Sequence, residues 1–290
     1  MHTIGPGDLV LCSGTVPRDV SFRDRLRAAA DAGFSAVSLW GRDYHRARRD
    51  GHDDAEMRTM LDDHGLVVAE IDPAWWWTPG AAEVRIPAEL DTLEVFRHGE
   101  DELFRIADAV GARSVNAADV LGGSWGPEEA AEAFARLCDG AAAHGLLVHL
   151  EWLAWSRIDT LAVASEVVRL ADRPNGGLTI DTWHCARTGV SAHDVAALPG
   201  AAVLSIQLDD GPAAAEDDLL HATLHERRLP GEGDFDLAGY LGALVKIGAV
   251  APVGVEVFSD ALHAQGPMVA ARRAAQATRA TLERAGWATR

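Results

Sequence analysis

The chain has 290 residues, 48% hydrophobic and 24% charged, with 26 Lys+Arg against 44 Asp+Glu and a net charge of −18. This composition is ordinary for a globular protein and excludes disorder and collagen-like sequence, while the acidity argues against a nucleic-acid partner, whose binders carry a basic face. Charge interrupts every apolar run well short of the roughly 20 residues a membrane span needs, and Met1–Val10 lacks a signal-peptide pattern, so we expect a cytoplasmic protein without a membrane partner. Cys12, Cys138 and Cys185 are odd in number and widely spaced, which fits neither a disulfide framework nor a metal knuckle. Lys246 is the one lysine, so a Schiff-base or phosphate-binding lysine has a single candidate.

Short β-branched runs alternate with longer amphipathic stretches. Leu9–Gly14 reads as a strand, followed by a helix over Ser21–Ala32 with Gly33 as its stop. Ala36–Trp40 is a second strand, then a helix over Asp53–His64 stopped by Gly65. Leu66–Asp72 is the third strand, followed by a tryptophan-bearing connection and a helix over Glu100–Val110. Ser114–Asp119 is the fourth; Pro127 opens a helix to His144. Leu146–Trp152 precedes a helix over Asp159–Ala171, and Gly177–Asp181 a shorter one near Ala192–Leu198. Val203–Leu208 leads through a long loop to a helix over Asp236–Ile247. Val253–Phe258 is the eighth strand, and Pro267 opens the last helix, to about Ala285. Strands alternating with helices imply a parallel sheet, and eight such units without a linker predict one (β/α)8 TIM barrel domain over 1–290. An open doubly wound sheet would call for a glycine-rich phosphate turn after the first strand; here that turn has one glycine, Gly14.

In such a barrel the C-terminal strand ends form the catalytic face. There the fifth strand presents Glu151, the sixth Asp181, the seventh Gln207 and the eighth Glu256, each inside an apolar strand. A buried carboxylate is costly unless it is paired or bound to a metal. Pairing all of them with arginine would need a separate partner for each. Three carboxylates and an amide oxygen instead form a hard, all-oxygen donor set that suits Mn²⁺ or Mg²⁺ better than zinc.

These motifs are L-V-H-L-E-W, the D-x-x-H of Asp181 to His184, S-I-Q, the loop Arg228 to Asp234 (R-L-P-G-E-G-D) and G-V-E, with intervals of 30, 26 and 49 residues between the four ligand candidates. In this order they resemble the xylose isomerase-like barrel superfamily, the sugar phosphate isomerase/epimerase group. The resemblance implies metal ligation by Glu151, Asp181, Gln207 and Glu256; Glu151 and Glu256 would then sit on opposite sides of the metal and are the natural catalytic base and acid pair. It implies that His184 and Arg228 contact substrate oxygens, and by analogy that the protein pairs as a homodimer. Two positions depart from the ketose epimerases: Gln207 stands where the family often has His, as in the dehydratase branch, and Arg157 stands where those epimerases carry a further glutamate.

A divalent metal holding two vicinal oxygens of a hydroxyketone acidifies the carbon-bound proton and stabilises the enediolate. Reprotonation gives isomerisation or epimerisation of a sugar or polyol ketone. Loss of a β-hydroxyl gives dehydration of a cyclic hydroxyketone of inosose or 3-dehydroshikimate type, and protonation of that hydroxyl by His184 would favour this outcome. The primary expectation is an isomerase/epimerase of a small carbohydrate-like substrate, with the dehydratase/lyase and a subunit of a C-glycoside-cleaving lyase as alternatives. An endonuclease IV-like hydrolase would need more strand-end histidines. His149 reads as a satisfied core histidine, Asp209 shares parity with Gln207 and is a substrate candidate, and Glu70, Asp72, Asn116 and Asp119 either line the pocket or cap helices. Cys185 adjoins His184, but neighbours on an extended segment point apart, against a dyad. Arg42–Arg49 reads as a solvated face or an anion site. Of nine tryptophans, all but Trp287 fall after strands; Trp40, Trp75 and Trp183 are candidates to cover a ring substrate.

Overall fold

A computed structural model describes residues 4–86, 88–91, 94–119 and 124–288. The outermost residues of the Met1–Val10 segment and of the 1–290 domain lie outside the described residues. The eight parallel strands are β1 (Leu9–Leu11), β2 (Ala36–Trp40), β3 (Val67–Ala74), β4 (Ser114–Ala118), β5 (Leu147–Glu151), β6 (Gly176–Asp181), β7 (Val203–Leu208) and β8 (Val253–Val255). They follow one another in chain order as a closed barrel, the expected (β/α)8 fold. The helices are α1 (Phe22–Asp31), α2 (Gly41–Arg49), α3 (Asp54–Asp63), α4 (Ala88–Asp91), α5 (Glu100–Val110), α6 (Pro127–Ala142), α7 (Leu161–Ala171), α8 (Thr182–Arg187), α9 (Ala192–Val195), α10 (Leu219–His225), α11 (Leu237–Lys246), α12 (Asp260–His263) and α13 (Pro267–Arg284). Among the described residues no helix is long and apolar enough to cross a membrane.

The local chemistry explains the boundaries. Ser21 Oγ accepts the Asp24 N–H and starts α1. At α6, Pro127 takes the first helical position and Glu129 reaches back to the Gly126 N–H at 2.8 Å. Gly111, at φ +69°, ends α5 in the left-handed conformation that only glycine adopts without strain.

The chain divides into two compact units. One comprises Met1–Ser38, Thr59–Val67 and Ile180–Arg290. In it β1 pairs with β2 and β8, β7 pairs with β8, and α13 packs on α1, each helix burying alanines (Ala28 and Ala29; Ala270, Ala271, Ala274 and Ala275). The other comprises Leu39–Arg58 and Val68–Thr179, where β3, β4, β5 and β6 form a continuous parallel ladder, α6 packs on α7, and Phe134 and Cys138 of α6 are buried against Gly176 of β6.

Two connections differ from expectation. The arginine-rich run after β2 is helix α2, with Arg42, Tyr44 and Ala47 buried. The chain also turns into α8 directly after Asp181, so residues 182–187 are helical where an extended segment was expected. Asp181 ends the strand and caps this helix, accepting the Trp183 N–H at 2.6 Å.

Candidate active site

In the unit containing β3 to β5, buried polar side chains of the strands form a connected network. Asn116 is its centre: Nδ2 donates to Glu151 Oε2 at 2.6 Å and to Asp72 Oδ1 at 2.9 Å. Trp40 Nε1 donates to the other Asp72 oxygen at 3.0 Å. Two residues earlier on each strand lies a deeper polar layer. His149 is fully buried and meets Glu70 at 3.2 Å, Ser114 Oγ at 3.0 Å and Thr179 Oγ1 at 2.6 Å, so it is the satisfied core histidine expected. Asp72 and Asn116 thus serve to orient Glu151 rather than to cap helices.

In the unit containing β7, β8 and the end of β6, the acids converge on a residue that sequence reasoning passed over. Arg227, 3% exposed, donates from Nη1 to Asp181 Oδ2 at 3.0 Å and to Asp209 Oδ2 at 2.7 Å, and lies 3.6 Å from Glu256 Oε2. One guanidinium therefore serves three carboxylates, so pairing these acids does not need a separate arginine for each. Thr182 Oγ1 donates to Asp209 Oδ1 at 2.7 Å. Burial works against ionisation of Asp181, but Arg227 and His184 hold its carboxyl below the ordinary range. Burial and the neighbouring Asp181 charge push Asp209 well above it. His184 is 3.9 Å from Asp181 Oδ2, and burial drives its pKa down to about 4, so it is neutral at neutral pH. That makes it a hydrogen-bond donor and a poor source of a full proton for a leaving hydroxyl. Gln207 and Glu256 are both buried beside these groups on β7 and after β8.

Arg228 stands apart from this cluster. Its backbone pairs with Asp210 in both directions, at 2.8 and 2.9 Å, and its side chain is exposed. Asp210 in turn accepts the N–H groups of Gly211, Gly231 and Phe235, latching the P-G-E-G turn to the end of β7. A Cβ on Gly233 would come within 2.3 Å of Asp210 Oδ1, so the turn closes only with glycine there. Trp183 is fully buried; its Nε1 donates to Thr223 and its ring lies against the Arg187 and Arg227 guanidinium groups. It braces Arg227. Trp75 is buried and stacks on Phe96, and Arg42 stacks on Trp40. Arg157 donates to the Trp125 carbonyl. Cys185 is buried, which pushes its thiol well up and leaves it unreactive.

A family model described as xylose isomerase-like TIM barrel matches residues 26–284. The chain belongs to the xylose isomerase-like TIM barrel family. Within this family the chain is similar to the 3-dehydroshikimate dehydratase of Pseudomonas aeruginosa, with 34% identity over 88% of this chain and 38% of the relative. It is also similar to the inosose isomerase of Bacillus subtilis, with 30% identity over 42% of this chain and 44% of that protein. The chain thus spans well under half the length of the dehydratase. Among solved structures, the IolI protein with a bound zinc atom superposes with a TM-score of 0.81 at 18% identity, covering 96% of this chain and 98% of that one, a likeness of fold.

The donor chemistry of the family barrel fits a divalent cation. Asp181, Gln207 and Glu256 are buried oxygen donors, and Arg227 supplies one positive charge among Asp181, Asp209 and Glu256. Such oxygen donors suit a divalent cation.

Proposed function

We propose that this chain catalyses enolisation of a cyclic, carbohydrate-like hydroxyketone, followed by loss of a β-hydroxyl: a dehydratase of 3-dehydroshikimate type. Its metal would be Mn²⁺ or Mg²⁺ held by Glu151, Asp181, Gln207 and Glu256, and that ion would polarise the ketone oxygens. The observation that carries the reading is the likeness to a 3-dehydroshikimate dehydratase, 34% identical over 88% of this chain and 38% of that relative. Gln207 in place of the family's frequent histidine supports the same branch.

Glu151 takes the proton from the carbon next to the ketone. Asn116 fixes one of its oxygens, which leaves the other aimed by the rigid Trp40–Asp72–Asn116 chain. Glu256 delivers a proton to the β-hydroxyl, which departs as water, and solvent returns the Glu151 proton to Glu256. His184, neutral, donates a hydrogen bond to a substrate oxygen. Arg227 holds Asp181 and Asp209 in place.

The inosose isomerase relatives favour a second reading, in which the same enolate is reprotonated instead. Incubation of 3-dehydroshikimate and of inososes with the Mn²⁺-loaded protein in D₂O separates the two. New ultraviolet absorbance from unsaturation is expected; deuterium at the α-carbon without it would replace the dehydratase by an isomerase. A Glu151→Gln/Glu256→Gln double variant that binds Mn²⁺ as tightly as the wild type would overturn the metal assignment.

A further inference from the structure

The arginine-rich run on α2 is not absorbed by the chemistry above. Arg42, His45 and Arg49 lie three and four residues apart, so one face of α2 carries all three. That face meets the segment entering α5. His45 Nε2 is 2.9 Å from Glu102 Oε1, and His98 Nδ1 is 3.0 Å from Glu102 Oε2. The two imidazoles stack, centroids 4.8 Å apart and planes 18° apart, so both present a nitrogen edge to the same carboxylate. One ligand atom from each of the three residues lies within 4.8 Å of the others. A tetrahedral ion with ligand bonds of about 2.0–2.1 Å places its donors about 3.3 Å apart. The two histidine–carboxylate contacts are already near that value, and all three donor atoms lie within 4.8 Å, so binding an ion requires the stacked rings to turn toward it.

The surroundings are built for the histidine pair. A Cβ on Gly41 would meet the His98 ring at 2.5 Å, so the bare backbone at the start of α2 is what admits His98. The side chains of His98, His45 and Glu102 are 10%, 31% and 35% exposed, and a cavity of about 280 Å³ opens beside them. Arg42, Arg49 and Arg97 also line this cavity. Arg97 is paired with Glu94 at 3.0 Å, and Arg105 lies 3.5 Å from Glu102. Mg²⁺ and Ca²⁺ take oxygen ligands, whereas two of the three donors here are imidazole nitrogens. Two neutral imidazoles and one carboxylate are the donor set of zinc sites that keep an open position, and imidazole prefers late transition ions.

We propose that His45, His98 and Glu102 bind Zn²⁺, with the fourth position facing the arginine-lined cavity and taking water or an anion. This site shares no ligand with the strand-end carboxylates, so its test is independent of the proposed reaction. The full chain, stripped with chelator, is titrated with Co²⁺ and then with Zn²⁺. Co²⁺ is expected to give the visible bands of a tetrahedral, nitrogen-bound ion, and one equivalent of Zn²⁺ to abolish them. His45→Ala and Glu102→Gln should each weaken Zn²⁺ binding at least about tenfold, while the Glu151→Gln/Glu256→Gln variant keeps the bands. Far-UV circular dichroism identifies which variant is folded and therefore decisive. Unchanged Zn²⁺ affinity in a folded His45→Ala or Glu102→Gln variant would overturn the site, as would bands lost only in the Glu151→Gln/Glu256→Gln protein.

Discussion

Arg227 and Arg228 are adjacent, yet one is buried among carboxylates and the other is exposed. Arg228 pairs through its backbone with Asp210 in an antiparallel bridge, and successive side chains on an extended segment point to opposite sides. The bridge therefore sends Arg227 inward, toward Asp181 and Asp209. Removing that guanidinium leaves buried acids uncompensated. Arg227→Met is expected to lose about 3–5 kcal/mol of stability by urea denaturation. Arg227→Lys, which keeps the charge without the forked geometry, should lose less. A methionine variant as stable as the wild type would mean that another group compensates the acids. Glu151 offers a contrast at the same scale. It stood out as a candidate because it is a lone acid in an apolar strand, but its hydrogen bond from Asn116 was not legible. The signal was present in the alternation itself: Glu70 and Asp72, Ser114 and Asn116, His149 and Glu151 each place two polar residues on one strand face.

Helix and strand elements were read well where they are long and periodic. The helix expected over Pro127–His144 is α6, Pro127–Ala142, and that over Asp53–His64 is α3, Asp54–Asp63. The six-residue α8 was missed because it is too short to show a helical period, and its starting signal, Asp181, doubles as a strand end. On α6 the buried face includes Cys138, whose thiol burial and the nearby Asp139 push up to about 12. The folded thiol thus keeps its proton above the range near 9 where the unfolded chain releases it. The stability this contributes is complete below about pH 9 and is lost as pH rises toward 12, on the order of 4 kcal/mol in all. Urea midpoints should fall between pH 8 and 10.5, and Cys138→Ala should flatten that slope. An unchanged slope in the variant would assign the alkaline loss elsewhere, for example to Tyr240, whose hydroxyl burial also raises.

For the whole molecule, the −18 charge resolves into a solvated surface and a small set of buried acids at strand ends. A cation that binds only the folded state stabilises it by mass action, by roughly 2.7 kcal/mol at a hundred times its dissociation constant. Saturating Mn²⁺ should therefore raise the melting temperature by several degrees in the chelator-stripped protein, and the Glu151→Gln/Glu256→Gln variant should show no such rise. An equal rise in the variant would place the stabilising ion elsewhere.

The sequence by itself determined the barrel, because the alternation of short apolar strands with amphipathic helices has one common solution at this length. It also singled out Glu151, Asp181, Gln207 and Glu256, because a polar residue within an apolar strand stands out against its neighbours. Only the tertiary structure decided the partners: Asn116 for Glu151, Arg227 for Asp181 and Asp209, and Glu102 shared by His45 and His98. These contacts join residues from 4 to 57 positions apart. Most of them form only when separate segments are brought together, and local periodicity carries no information about which distant side chains then meet.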